Sequence, residues 1–171
     1  SGVDYNLWLG AAPQRPFNRN RFHGSWRWFF DYGTGDLGND GVHRMDFCRW
    51  VMGLDGWFTS VSAAGGKFFF DDAQEWPDTQ MVTYEYPNAV LVYEMHIWSR
   101  PRLFNATEGA AVYGDNGWVL INNNGWQAFD ASNKLVKEEG GRDVALGLHI
   151  RNFLECVKNR KWQELNQEIG N

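Results

Sequence analysis

Residues 80–98, QMVTYEYPNAVLVYEMHIW, alternate along their length on both sides of Pro87-Asn88. A period of two puts successive side chains on opposite faces of a strand, and Pro-Asn is turn chemistry, so the stretch predicts a β-hairpin. Leu91, Tyr93, Met95 and Ile97 would line one face; Val92, Glu94, His96 and Trp98 would line the other. The strand signal continues outward. FTSVSA at 58–63 is short and alternating, and WRWFF at 26–30 reads as an aromatic strand broken by Asp31 and Gly33. Residues 109–139 read as a meander, with turns at Gly114–Gly117 and in the run Asn122–Gly125.

Two segments change to a helical period. From about 37 to 52, Asn39, His43, Asp46 and Trp50 fall at spacings of four, three and four and share a face. Val42, Met45, Arg49 and Met52 form the adjacent face, Asp36 is placed to cap the start, and Gly53 is placed to end it. From about 143 to 159, Leu146, Ile150, Phe153 and Val157 repeat that spacing. Asp143 near its start and Lys158, Arg160 and Lys161 at its end match the helix dipole. YNLWLG, 5–10, reads as one short helical turn. The pattern as a whole predicts an α+β class: one open, mainly antiparallel sheet with helices packed on one face, in a single domain over 1–171. The outward positions Val92, Trp98, Trp118 and Trp126 are too apolar to stay wet, which predicts cover from a second chain or a second domain.

Composition narrows the function. With 171 residues, 43% hydrophobic and 22% charged, the chain reads as an ordinary soluble domain. A net charge of −5 without a basic stripe argues against nucleic acid, and no apolar run reaches membrane-span length. The compartment stays open between cytoplasm and periplasm. Ten tryptophans lift the aromatic share to 16%, which favours a thick core over a planar ligand platform. Cys48 and Cys156 read as buried thiols. His23, His96 and His149 with Asp71, Asp72 and Glu75 lack metal-ligand spacing, so no metal is expected. DDAQEWPD, 71–78, reads as a solvated acidic loop, and Asp40–Arg44 as a surface helix pair.

The chemistry concentrates in GDLGNDGVHRMDFCRW, 35–50. Gly33, Gly35 and Gly38 have the G-x-G-x-x-G spacing of a dinucleotide loop. No parallel strand–helix–strand unit follows, and Asp55, 17 positions past Gly38, lies in a turn, so a nucleotide is not expected there. His43, one turn after Asn39, is the residue whose chemistry stands out, since imidazole is matched to proton transfer near neutral pH. Arg21, Phe22 and His23, with Trp26 and Trp28, are candidates to line a pocket.

DYNLWLGAAPQRPFN (4–18), WFFDYGTGDLGNDGVHRMDFCRW (28–50), ATEGAAVYGDNG (106–117) and HIRNFLECVKNRK (149–161) stand in an order that resembles one family. It is the C-terminal domain of the glucose-fructose oxidoreductase, inositol dehydrogenase and rhizopine-catabolism (Gfo/Idh/MocA) enzymes. The resemblance runs from Tyr5 to the QEIGN terminus. It implies a sugar or polyol substrate, a homo-oligomer through the open sheet face, and NAD or NADP in the full-length enzyme. The nucleotide-binding domain and its Glu-Lys-Pro lysine are absent from these residues, so this chain alone should bind no cofactor. The resemblance also places Ser1 near the family's interdomain linker and omits a last helical segment, so a part of a longer enzyme is expected. The family's signature here is a carboxylate followed four residues later by histidine. That makes His43 the proton-transfer residue, with Asn39 standing in the carboxylate position. An amide accepts no proton but can orient a ring or hold a hydroxyl. Asp36 and Asp40 are the nearby carboxylates that would compensate and contact substrate, with Arg21, His23 and Trp28. The alternative is a stand-alone non-redox hydrolase or carbohydrate-binding module using the same cleft.

Overall fold

A computed structural model describes residues 2–99, 104, 106–140 and 143–165, with residues 143–145 described by backbone alone. The QEIGN end of the resemblance and the Asp143 carboxylate lie outside the described groups. The chain divides into two compact units, Ser1–Trp50 with Trp57–Pro101, and Val51–Gly56 with Arg102–Asn171.

The first unit opens with α1, Tyr5–Leu9, whose N–H groups at Asn6 and Leu7 are capped by the Asp4 carboxylate. WRWFF is not a strand. Ser25–Trp28 form a single 3-10 turn, because His23 and Gly24 both take positive φ and swing the chain round before any ladder can start. The backbone still finds a partner, since the Trp28 carbonyl accepts from the Glu75 and Trp76 N–H groups at 2.9 and 3.3 Å. A π-turn, Leu37–Gly41, leads directly into α2, Val42–Met52, and Gly53 follows with φ 59°.

A three-stranded antiparallel sheet completes this unit: β1 (Ser60–Gly66), β2 (Thr79–Tyr86) and β3 (Ala89–His96), in that order. Tyr86 pairs with Ala89 across Pro87-Asn88, as the alternation predicts. The pleat decides the core. Val82, Tyr93 and Met95 are buried on the inner face, and Leu37, Met45, Tyr84 and Ile97 pack against them. So the π-turn and α2 each place one apolar side chain on this face. The outer face carries Met81, Val90, Val92 and Trp98, which are 48%, 59%, 57% and 41% exposed.

The second unit contains β4 (Gly109–Gly114), β5 (Gly117–Asn122), β6 (Gly125–Asp130) and β7 (Leu135–Gly140), an antiparallel meander. Its first two turns fall where the glycine and asparagine runs place them. On one face Tyr113, Trp118 and Phe129 lie in register, and Trp118 stacks on Phe129 at 4.2 Å. Trp118 is therefore half-buried by its own sheet and not the bare outward residue that alternation suggests. The closing helix α3 spans Asp143–Asn159. Its buried residue among the described side chains is Cys156; Leu146, Ile150, Phe153 and Val157 remain exposed.

The class is α+β with antiparallel pairing throughout. The strands form two sheets, of three and four strands, among the described residues, where the sequence suggests one. Cys48 and Cys156 are free thiols. Among the described residues, no helix is long and apolar enough to cross a membrane, and no group of three His, Cys, Asp or Glu side chains is placed to hold a metal ion.

Candidate functional site

The site belongs to the first unit and is built on the turn between Asp36 and His43. The Asp36 carbonyl accepts three N–H groups in succession, from Asn39, Asp40 and Gly41 at 3.1, 3.0 and 3.0 Å. That widened turn is the reason for its glycines. Gly35 has φ +63° and faces the Trp76 ring, and a Cβ on Gly41 would stand 2.9 Å from the Tyr93 ring. Tyr93, 8% exposed, donates its hydroxyl to Asp36 Oδ2 at 2.8 Å. Burial pushes the Tyr93 phenol well above its ordinary range, and the Asp36 carboxylate adds to that. The phenol therefore stays a donor at any physiological pH.

This arrangement places Asn39 half-buried, and Asp40 and His43 exposed, on consecutive turns. His43 is on the first turn of α2 and is exposed. Asp36 does not cap the helix with its side chain; its carboxylate faces Tyr93. Arg21, His23 and Trp28 lie on the preceding loop. Arg21 Nη2 donates to the Pro16 carbonyl at 2.6 Å, and the His23 ring sits 3.9 Å from Phe22. The loop meets the glycine turn through backbone, where the Gly35 N–H donates to the Arg27 carbonyl at 3.0 Å. The Trp76 indole N–H locks the same corner by donating to the Gly33 carbonyl at 2.9 Å. The structure thus sets Asn39 and Asp40 on the π-turn and His43 on the helical turn that follows it, and gives Arg21, His23 and Trp28 a separate support.

Segment 71–78 is a correction to the sequence reading. Its second half is not solvated. Asp78 is fully buried and accepts from the Phe68, Phe69 and Phe70 N–H groups and from the Thr79 hydroxyl. Burial alone would raise its pKa; those donors outweigh it and hold the carboxyl down to about 2. Glu75 accepts from the Phe30 N–H at 2.7 Å and from Arg15 at 3.3 Å, and Arg15 also pairs with Asp31 at 2.6 Å. These residues brace the loop beneath the turn. Alternation marks Tyr93 as a core residue, but nothing in the sequence says where its hydroxyl goes.

The family's sequence profile, described as the oxidoreductase family, C-terminal alpha/beta domain, of Gfo/Idh/MocA type, matches residues 1–171. The chain belongs to that family. No curated protein sequence matches it. Among solved structures, it is similar to the WlbA dehydrogenase of Bordetella pertussis, in complex with NADH and UDP-GlcNAcA. That match is 17% identical with a TM-score of 0.47 and covers 78% of this chain and 37% of that one. The Chromobacterium violaceum WlbA enzyme, with the same two ligands, is 18% identical with a TM-score of 0.42, covering 85% and 41%. A Klebsiella pneumoniae protein assigned as an oxidoreductase is 17% identical with a TM-score of 0.46, covering 70% and 39%. The chain thus spans about two fifths of the length of these proteins.

The nicotinamide nucleotide that the Gfo/Idh/MocA family implies does not fit the glycine turn. The space beside Gly38 is taken by the Thr34 side chain, that beside Gly35 by Trp76, and that beside Gly33 by the Arg27 backbone. The Asn39, Asp40 and Gly41 N–H groups are spent on Asp36. No strand of a parallel pair leads into the turn among the described residues. A pyrophosphate site needs backbone N–H groups presented after such a strand, and here the N–H groups of Gly33, Gly35, Asn39, Asp40 and Gly41 are already bonded within the fold.

Proposed function

We propose that this chain is the substrate-binding and oligomerisation part of an NAD(P)-dependent oxidoreductase acting on a sugar or polyol, with His43 as its proton-transfer residue. The observation that carries this reading is the exposure of His43 on the first turn of α2, directly after a turn whose Asp36 carboxylate accepts from the Tyr93 hydroxyl. Membership of an oxidoreductase family supplies the reaction class. The nucleotide, held by residues other than these, supplies the oxidant.

The work of this chain is proton handling and orientation. The imidazole of His43 takes the hydroxyl proton as the substrate carbon is oxidised, and returns it in the reverse reaction. Asn39 orients that ring or holds a substrate hydroxyl through its amide. Asp40 accepts from further hydroxyls at the same turn. Asp36 belongs to the same turn and carries its geometry. Arg21, His23 and Trp28 contact the more distant part of the sugar. The exposed outer face of β1–β3, with Met81, Val90, Val92 and Trp98, is the surface for a second copy.

The test is turnover by the full-length enzyme with UDP-N-acetylglucosaminuronic acid, glucose or myo-inositol, each with NAD and with NADP. Nucleotide reduction with at least one of these is expected. Hydrolysis of a sugar derivative without any nucleotide, lost in His43→Ala, would overturn the reading in favour of a non-redox enzyme.

A further inference from the structure

We propose that Tyr93 is a positioning residue for the site: its hydroxyl, held on the Asp36 carboxylate, fixes the π-turn that sets the place of Asn39 and His43. The inference rests on the reading of His43 as the proton-transfer residue and extends it to a strand distant in sequence.

Four observations converge. Tyr93 belongs to the buried core of the three-stranded sheet, between Val82 and Met95, so its ring has a fixed base. Its hydroxyl donates to Asp36 Oδ2 at 2.8 Å, 57 residues away in sequence. The Asp36 carbonyl is the common acceptor for the N–H groups of Asn39, Asp40 and Gly41. Gly41 closes against the hydroxyl end of the same Tyr93 ring, close enough that a methyl group would collide. One side chain therefore grips the residue that opens the turn, Asp36, by a hydrogen bond and the turn's last residue, Gly41, by contact. A π-turn is a costly geometry, and it persists where tertiary contacts over-determine it. A charged acceptor strengthens the Tyr93 bond relative to a neutral one. Tyr93 touches no reacting atom; it acts through Asp36, as residues behind a catalytic group commonly do.

The experiment compares Tyr93→Phe, Asp36→Ala and the double variant in the full-length enzyme. Tyr93→Phe keeps the ring and its packing, so folding is preserved. Two readouts are taken: amide hydrogen exchange at Asn39, Asp40 and Gly41, and kcat against KM with the most active substrate of the panel above. Tyr93→Phe is expected to speed exchange at those three amides by about tenfold or more, with the Val82 amide in the core unchanged. It is also expected to lower kcat by about 10- to 100-fold while KM stays within about twofold. The double variant should be no worse than Asp36→Ala, because the two groups act as one unit. Wild-type exchange together with wild-type kcat in Tyr93→Phe would overturn the proposal, as would losses that multiply in the double variant. If His43→Ala retains full kcat, it is the proton-transfer reading that fails. The exchange measurement then decides by itself whether Tyr93 holds the turn.

Discussion

Asp78 is a charge in a place without solvent, and its four donors explain why it stays charged. Three consecutive backbone N–H groups and one hydroxyl replace the water it has lost. Asp78→Asn keeps the size but turns a donor toward those N–H groups, at a cost of about 2–4 kcal/mol in denaturant unfolding. The pH dependence follows from the direction of the shift. Its folded pKa, about 2, lies below the ordinary 3.8. Its stabilisation is therefore fully present above about pH 4 and lost as pH falls through about 2. Unfolding free energies of the wild type and Asp78→Asn are expected to converge over that window and to stay apart at neutral pH. This residue was not legible in the sequence: its partners are backbone groups, and an aspartate among Asp71, Asp72 and Glu75 looks like solvated charge. Tyr93 was half legible. Alternation places it in the core, but a buried hydroxyl finds its acceptor only once the chain folds back on itself.

Elements with a local cause were the legible ones. The β2–β3 hairpin follows from strict alternation around Pro87-Asn88, the first two turns of the β4–β7 meander from glycine and asparagine runs, and α3 from apolar spacing with Lys158 in its last turn. Elements set by distant contacts were not. The turn at Ser25–Trp28 has strand composition, but two positive-φ residues precede it. The π-turn reads as ordinary helix until Tyr93 and Trp76 are seen against its glycines. That contact gives a test at the scale of the element. Gly41→Ala forces a methyl into the Tyr93 ring, and the expected loss is about 1–3 kcal/mol in equilibrium unfolding. Gly2→Ala, with nothing near its Cβ, should fall within about 0.5 kcal/mol of the wild type. An unchanged midpoint for Gly41→Ala would mean that the turn does not need its close approach.

Among the described residues, apolar side chains lie open on several elements, the three-stranded sheet and α3 among them. The outer face of β1–β3 exposes Met81, Val90, Val92 and Trp98, and α3 exposes Leu146, Ile150, Phe153 and Val157. The division of the strands into two sheets was not legible, because local alternation records that a strand forms and not which strand it joins. The proposed oligomerisation through the β1–β3 face makes a direct prediction. Val92→Lys, which puts a charge on that face, is expected to shift sedimentation to a smaller species without loss of folded signal; an unchanged sedimentation coefficient would remove this face from the interface. The chain belongs to an oxidoreductase C-terminal-domain family, and the proposed function rests on one imidazole. The most direct measurement is therefore kcat of full-length His43→Ala with the nucleotide and the best sugar substrate. A fall of about 100-fold or more, with the fold intact by circular dichroism, is expected of a lost proton-transfer group. A kcat equal to that of the wild type would contradict the account.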